Sequence, residues 1–214
     1  MDASYDALRA LTSSKLRWGI LESLEHPKRL SDLRRIVGAN APNTSTKAKD
    51  LQRLGLIDRD NGDFYMTRAG RIVHLRLSLL IDTLDALYTH RDFWLRMLDH
   101  MPEEVIQHIH HFKRAKLVRA GRDDLDFVKR ELLRYIQKAE GELFVVLPVK
   151  CEELMKAVER ASKSVNTKLI TLQDQPDLHY GLISSNGFTI LFTDMLDMAL
   201  ISKSTIQCLP SAGS

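Results

Sequence analysis

The side chains best suited to chemistry in this chain lie between Asn43 and Arg53. Asparagine, serine and threonine can hydrogen-bond to base edges, and lysine and arginine attract phosphate oxygens. Ala48, Leu51 and Leu54 recur at helical spacing, so they form the apolar face of one helix. The outer face of that helix is then expected to carry Asn43, Thr44, Ser45, Thr46, Lys47, Lys49 and Arg53. Such a face fits the major groove of double-stranded DNA.

A shorter helix is expected just before it. Ser31 and Asp32 are suitable N-cap residues, apolar residues follow at helical spacing, and Gly38 can end the helix in a left-handed conformation. The second helix should begin near Pro42, because the fixed φ of proline suits a first helical turn. Two short helices joined by a tight turn are typical of a helix-turn-helix.

A charged hairpin is predicted directly after these helices. Residues 56–60 and 63–66 flank Asn61-Gly62, the dipeptide that most readily adopts the two positive φ values of a type I′ turn. This hairpin would be the wing of a winged helix-turn-helix, and Arg59, Asn61 and Arg68 complete the expected DNA contacts. Two other interpretations remain open: the basic helix could be a solvated face, or the module could bind protein.

The chain resembles archaeal winged-helix transcriptional regulators over about residues 10 to 120. Two segments carry the first part of the resemblance, Ala41–Leu51 and Leu54–Arg59. The continuation is similar to regulators with a methanogenesis-regulator-type, filR-like middle domain, in the segments 67–73, 81–85, 93–95 and 101–104. The resemblance implies a first domain that binds DNA and a second that senses a small molecule. The chain ends earlier than the resemblance predicts for a complete sensing domain.

Composition indicates a globular protein. The chain has 214 residues, 44% of them hydrophobic, which is enough for one large or two small packed cores. No apolar run is long enough to cross a bilayer, and Asp2 and Asp6 precede any apolar stretch, so we expect a cytoplasmic protein without a signal peptide. Two cysteines, Cys151 and Cys208, have no metal-ligand spacing and are expected to be reduced thiols.

The basic residues are concentrated in the predicted DNA-binding module. Residues 28–76 hold eleven lysines and arginines against five aspartates and glutamates, whereas residues 77–124 and 125–214 are close to neutral. A positive excess on one module is what binding to phosphate requires.

Helical stripes flank this module. Apolar residues from Leu8 to Leu24 predict a supporting first helix that Pro27 ends. After the wing, a long helix opens at Thr67-Arg68 with a heptad seam of Val73, Leu77, Leu80, Leu84 and Leu87. The seam predicts a homodimer, although the same stripe could pack against the first helix or the second domain.

A second helical region is expected from Phe93 to Val118. His100, His108, His110 and His111 lie within it, but no cysteine or acidic partner completes a tetrahedral set, so a solvated or interface face is favoured over a metal site. The polar cluster 121–124 predicts a domain boundary. Beyond it, helix and strand alternate: helices near 127–136 and 152–161, and strands at 143–147, 168–172, 179–184, 188–193 and 198–202.

The turn from the first of these strands into the next helix is the candidate effector site. Free backbone N-H groups at Pro148–Cys151, with Lys150 nearby, could meet a ligand carboxylate or phosphate. The expected ligand-binding residues are Phe144, Pro148, Lys150, Cys151, His179, Tyr180 and Phe192. A redox role for Cys151 is a weaker alternative, because no second cysteine is close in sequence.

No catalytic, cofactor or metal motif is recognisable: there is no Gly-rich phosphate loop, GxSxG elbow or HExxH sequence. We therefore expect an α+β protein that is not an enzyme, with a winged helix-turn-helix at 1–76, linker and dimerisation helices at 77–124 and a mixed α/β effector-sensing domain at 125–214. It would be a dimeric DNA-binding transcriptional regulator with a small anionic or amphiphilic effector. The alternatives are an architectural DNA-binding protein with a purely assembling C-terminal domain and a small α/β enzyme tethered to DNA.

Overall fold

The computed structural model describes residues 3–148, 150–171 and 180–203. The chain forms two compact units, residues 1–79 and residues 80–214. The α+β fold class is confirmed, since helices and two separate sheets occur along the chain. No described helix is both long and apolar enough to cross a membrane.

The first unit contains four short helices and a small sheet. Its elements in chain order are α1 (Ala3–Thr12), α2 (Lys15–Ser23), β1 (Lys28–Arg29), α3 (Leu30–Val37), α4 (Ala41–Arg53), β2 (Ile57–Asp60), β3 (Asp63–Met66) and the first half of α5 (Arg68–Thr89). The helix–helix–hairpin order expected of the DNA-binding module is therefore present in α3, α4, β2 and β3. Leu21, Leu33, Ala48, Leu51 and Phe64 lie in its core.

The apolar stripe before the module folds as two helices and not as one. Ser14 lies in extended backbone between α1 and α2, and its side-chain oxygen accepts a hydrogen bond from the Arg17 N-H at 3.3 Å. A serine in this position satisfies one of the unpaired N-H groups of the following helix. The break at Ser13-Ser14 is thus a helix start.

The start of α3 also differs from the prediction. The helix begins at Leu30 after Arg29, which makes no side-chain capping bond, and Ser31 and Asp32 lie inside its first turn. Gly38 ends it with a φ of 65°, as expected. Asn40 caps α4, because its side-chain oxygen accepts a hydrogen bond from the Asn43 N-H at 3.0 Å.

The hairpin turn adopts the predicted conformation. Asn61 has a φ of 48° and Gly62 a φ of 94°, and Asp60 pairs with Asp63 across the turn. Two positive φ values give the twist that the strands of a two-residue hairpin require. Strand β1 joins the other edge of β3, so the sheet order is β1-β3-β2.

The second unit is a six-stranded mixed sheet with helices on both faces. After the end of α5 it contains α6 (Arg91–Met97), α7 (Glu103–Ile106), β4 (Lys116–Arg119), α8 (Phe127–Gln137), β5 (Glu142–Leu147), α9 (Glu152–Ala161), β6 (Asn166–Thr171), β7 (Tyr180–Ser185), β8 (Phe188–Thr193) and β9 (Met198–Ser202). Short 3-10 turns lie at Leu98–His100 and Ile109–Phe112. The strand order is β4-β9-β8-β7-β5-β6, and only the β5–β6 pair is parallel.

Two cores lie on opposite faces of this sheet. One joins Phe93, Trp94 and Phe112 to the sheet residues Leu182 and Leu200. The other joins α8 and α9 to the alternate residues of the same strands, because successive side chains of a strand point to opposite faces. Strands β7, β8 and β9 are buried along their whole length.

The region from Phe93 to Val118 is not the single helical region that was expected. Its helices are short, and it ends in β4, which pairs antiparallel with β9. Because these segments cover one face of the sheet, residues 80–124 fold with residues 125–203 and not apart from them. The polar cluster at 121–124 is a tight turn, in which Gly121 and Asp124 form an isolated bridge.

Candidate nucleic-acid interface

Helix α4 carries most of the predicted DNA-binding residues on its solvent side. Asn43, Thr46, Lys49 and Arg53 are exposed, and Ser45 and Lys47 are half-buried. The opposite side packs into the core through Ala48 and Leu51. The outer face therefore combines amide, hydroxyl and ammonium groups within about three helical turns.

Thr44 does not belong to this face, contrary to the prediction. Its side chain is completely buried, and its hydroxyl donates to the Asn40 carbonyl at 2.9 Å. Thr44 precedes Ala48 by four residues, so it shares the inward side of the helix. The sequence interpretation placed it outside only because its side chain is polar.

Asp50 modifies the charge of the basic face. Arg17 of α2 contacts one oxygen of the Asp50 carboxylate with two nitrogens, at 2.7 and 3.2 Å, while Arg53 binds the other oxygen. Lys47 Nζ lies 4.0 Å from the same group. The hydrogen bond from Arg17 lowers the pKa of Asp50, which is therefore ionised at neutral pH.

Lys49 consequently differs from its basic neighbours. It is exposed and makes no ion pair with any residue that the structure describes, whereas Lys47 and Arg53 are both engaged by Asp50. Sequence reasoning weighted these three cations equally. Since α2 holds the partner Arg17, the distinction depends on a contact between residues 33 positions apart, which periodicity within α4 cannot reveal.

The hairpin presents a second basic group. Arg59 is exposed, its guanidinium lies 5.1 Å from the centre of the Phe64 ring, and its Nε donates to the Gly62 carbonyl at 3.3 Å. Asn61 is exposed at the tip and Arg68 at the start of α5. Arg59 is thus oriented by the hairpin itself, which would lower the conformational entropy lost if its guanidinium bound a phosphate.

The predicted dimer seam is divided between buried and exposed positions. Leu77 is buried, and Leu87 packs against the core of the second unit, so neither is free for a partner subunit. Val73 is half-buried. Leu80 and Leu84 are exposed, and the other large apolar side chains that α5 exposes are Ile72, Leu75, Leu79 and Tyr88.

The predicted effector residues that the structure describes do not surround one pocket. Phe144 and Tyr180 belong to one face of the sheet, whereas Phe192 is fully buried on the other face, where its ring packs over Gly181. Pro148 is buried and Lys150 is exposed. His179 lies outside the described residues, as does Cys208.

Cys151 precedes α9 as its N-cap residue, half-buried and with no side-chain capping bond. Three of the predicted histidines lie close together: the rings of His108, His110 and His111 have centres 4.3 to 6.1 Å apart. Within the described part of the chain, no group of three His, Cys, Asp or Glu side chains is arranged to hold a metal ion.

One family model matches the first unit. Residues 5–85 match the family model for the N-terminal domain of the methanogenesis regulatory protein FilR1. The resemblance to archaeal transcriptional regulators is thereby confirmed for this part of the chain, which includes α3, α4 and the hairpin. The family match ends within α5.

The other two comparisons contribute no evidence about the function. No curated protein matches the chain. Among solved structures, the chain is similar to TrmBL2, an archaeal chromatin protein whose structure shows a novel mode of DNA binding, with 10% identity over 93% of this chain and 91% of that chain. The TM-score is 0.28, too low for this likeness to bear on the fold or the function.

Proposed function

We propose that this protein is a transcriptional regulator that binds duplex DNA through the outer face of α4, with the hairpin as a wing on the adjacent backbone. The observation that carries this proposal is the outward cluster of Asn43, Thr46 and Lys49 on a helix that follows a tight turn. Asn43 and Thr46 are suited to base edges and Lys49 to a phosphate. The match to a domain of a regulatory protein supports regulation over an enzymatic role.

The exposed lysine gives the sharpest test. We expect Lys49→Ala to weaken binding to all duplex sequences and to reduce the salt dependence by about one counterion per lost phosphate contact per subunit. Lys47→Ala should have a smaller effect, because Asp50 already neutralises part of its charge. Fluorescence anisotropy with labelled duplexes at several salt concentrations measures both quantities.

Lys163→Ala is the matched control, since Lys163 is an exposed lysine of the second unit. Equal losses for Lys49→Ala and Lys163→Ala would contradict the assignment of α4. Substitutions at Asn43 or Thr46 should change which sequence is preferred more than they change overall affinity.

We further propose that the protein acts as a homodimer through α5. Six large apolar side chains of this helix are exposed, with Leu80 at 50% and Leu84 at 42%, and exposed apolar surface of this extent is typical of an interface. Dimerisation would present two α4 helices to two half-sites. The residues proposed to contact the partner subunit differ from those of the heptad prediction, because Leu77 and Leu87 pack within the chain.

The second unit is proposed to bind a small molecule that changes the affinity for DNA. Helix α5 supports this coupling, because it begins in the unit that carries α4 and ends in the unit that carries the large sheet. A ligand that favours one arrangement of the two α4 helices in the dimer would typically change operator affinity by about five- to 150-fold.

A further inference from the structure

A basic cleft opens at one end of the large sheet, with a volume of about 440 Å³. Its walls include Asp82 of α5, His110, Lys113, Arg114, Lys116 at the start of β4, and Lys203 just beyond β9. We call it the β4–β9 cleft. None of the residues predicted from the sequence to bind a ligand lines it.

Strand pairing forces these cations together. Strands β4 and β9 are antiparallel, with Lys116 opposite Ile201. The residues that precede Lys116 and those that follow Ile201 therefore reach the same end of the sheet, which places Arg114 and Lys203 near each other. Like charges that lie close together at neighbouring strand ends repel each other unless a counter-charge lies between them.

The protein supplies little of that counter-charge. Asp82 pairs with Lys113 at 2.7 Å, but Arg114, Lys116 and Lys203 have no carboxylate partner among the residues that the structure describes. Elsewhere in the same unit basic residues do have one, as in Arg96–Asp197 at 2.7 Å and Arg119–Asp92 at 3.0 Å. The cleft therefore has an excess of positive charge in a concave space.

The walls of the cleft are held in place by neutral contacts. The Ser202 hydroxyl donates to the His111 carbonyl at 2.7 Å and ties the end of β9 to the 3-10 turn at 109–112. Burial lowers the pKa of both His110 and His111, so their rings are neutral at pH 7 and add hydrogen-bonding groups without adding charge. Tyr135 and Ile201 contribute apolar surface.

We propose that the β4–β9 cleft binds a small organic anion with two or more negative charges, carried by carboxylates or phosphates. A cavity of this size holds a compact metabolite, whereas a duplex would need a longer and open basic surface. Ammonium and guanidinium groups bind both kinds of oxyanion through charge-assisted hydrogen bonds. This inference deepens the proposed function, and rests on it for the claim that the anion is the effector.

Asp82 gives the ligand a route to α5. An anion bound to Lys113 competes with the Asp82 carboxylate for the same ammonium group, and Asp82 lies on the helix that leads into the DNA-binding unit along the chain. Occupation of the cleft would thus alter an ion pair made by α5.

The test uses calorimetry on the full chain with two probes, citrate and inorganic pyrophosphate, in the absence of DNA. Citrate represents the carboxylate source and pyrophosphate the phosphate source. We expect saturable one-to-one binding of at least one of them, and a loss of roughly tenfold or more in affinity for the double variant Lys116→Gln/Lys203→Gln. The single variant Arg114→Gln should weaken binding in the same direction.

A matched double variant removes the same charge elsewhere. Lys138→Gln/Lys163→Gln changes two exposed lysines of the same unit that do not line the cleft, and it should bind the probes like the wild type. Removing charges from the cleft should also raise the melting temperature without ligand, because repulsion is relieved, and this verifies that the variant is folded.

Three results would overturn the inference: neither probe binds the wild type at millimolar concentration, both double variants lose affinity equally, or the cleft variant loses as much DNA affinity as Lys49→Ala. The last result would indicate that the residues of the cleft contact DNA. Since probe binding is measured without DNA, a failure of α4 to bind DNA would leave the anion site standing and remove only its role as an effector site.

Discussion

At the scale of single residues, Asp50 determines how much of the basic face of α4 is available to phosphate. Its side chain is half-buried, with 15% of it exposed, and it binds Arg17 and Arg53 at once. The pair with Arg17 fixes α4 against α2. Asp50 is therefore a structural residue within a surface that otherwise resembles a uniform basic helix.

Replacing Asp50 by asparagine should destabilise the first unit by about 1–3 kcal/mol, because it leaves the part-buried Arg17 guanidinium without its charged partner. The lowered pKa of Asp50 means that its ion pair stabilises the fold above about pH 3.8 and that this stabilisation is lost as the pH falls through the folded-state pKa. The difference in the free energy of unfolding between wild type and Asp50→Asn should thus decrease at acidic pH. Urea unfolding at several pH values measures it.

Asp32→Asn is the control, because Asp32 pairs with an exposed Arg35 at 3.4 Å. An exposed pair of this kind contributes roughly 0–1 kcal/mol. If the two variants were equally stable, the part-buried Arg17–Asp50 pair would not have the role assigned to it.

At the scale of elements, the start of α5 is anchored on the wing. The Thr67 hydroxyl donates to the Gly55 carbonyl at 2.6 Å and accepts from the Gly70 N-H at 3.0 Å. Gly70 lies so close to the residue before β2 that a Cβ built on it would be 1.9 Å from the Leu56 carbonyl oxygen. Only glycine permits this approach.

We therefore expect Gly70→Ala to destabilise the first unit by about 1–3 kcal/mol, since α5 must move away from the Leu56 backbone. Gly19→Ala should do the opposite and stabilise by roughly 0.5–1 kcal/mol, because its Cβ would meet only Val37 Cγ1, at 3.4 Å, and alanine is the better helix former. Thermal unfolding of the two variants compares the same substitution at two helical glycines. Shifts of the same sign would contradict the packing of α5 on the wing.

Much of this arrangement was predictable from the sequence, because it depends on local signals. The Asn61-Gly62 turn, the helix end at Gly38 and the bounds of α9 all follow from residue types that have few conformational choices. What could not be predicted depends on distant partners. β4 is a strand because β9 pairs with it, Thr44 is inward because the core closes over it, and Phe192 and Tyr180 are separated because the sheet has two covered faces.

At the scale of the whole molecule, the apolar surface of α5 is the feature that a single chain leaves unexplained. Replacing both Leu80 and Leu84 by lysine should dissociate the proposed dimer, since charges would be placed in an apolar interface. Light scattering at micromolar concentrations measures the assembly. The control Leu95→Lys/Leu125→Lys alters two exposed leucines outside α5, and it should leave the dimer intact.

A wild type that is monomeric throughout the micromolar range would contradict the dimer. So would equal dissociation of both double variants, because that would indicate a general effect of added charge.

The most direct test of the central claim is hydrogen exchange of the full chain with and without bound duplex DNA. The account predicts that protection on binding is concentrated in the first two turns of α4, around Asn43 to Lys49, and at the wing tip around Arg59 to Gly62. Protection confined to residues 80–203, with α4 and the hairpin unchanged, would contradict it.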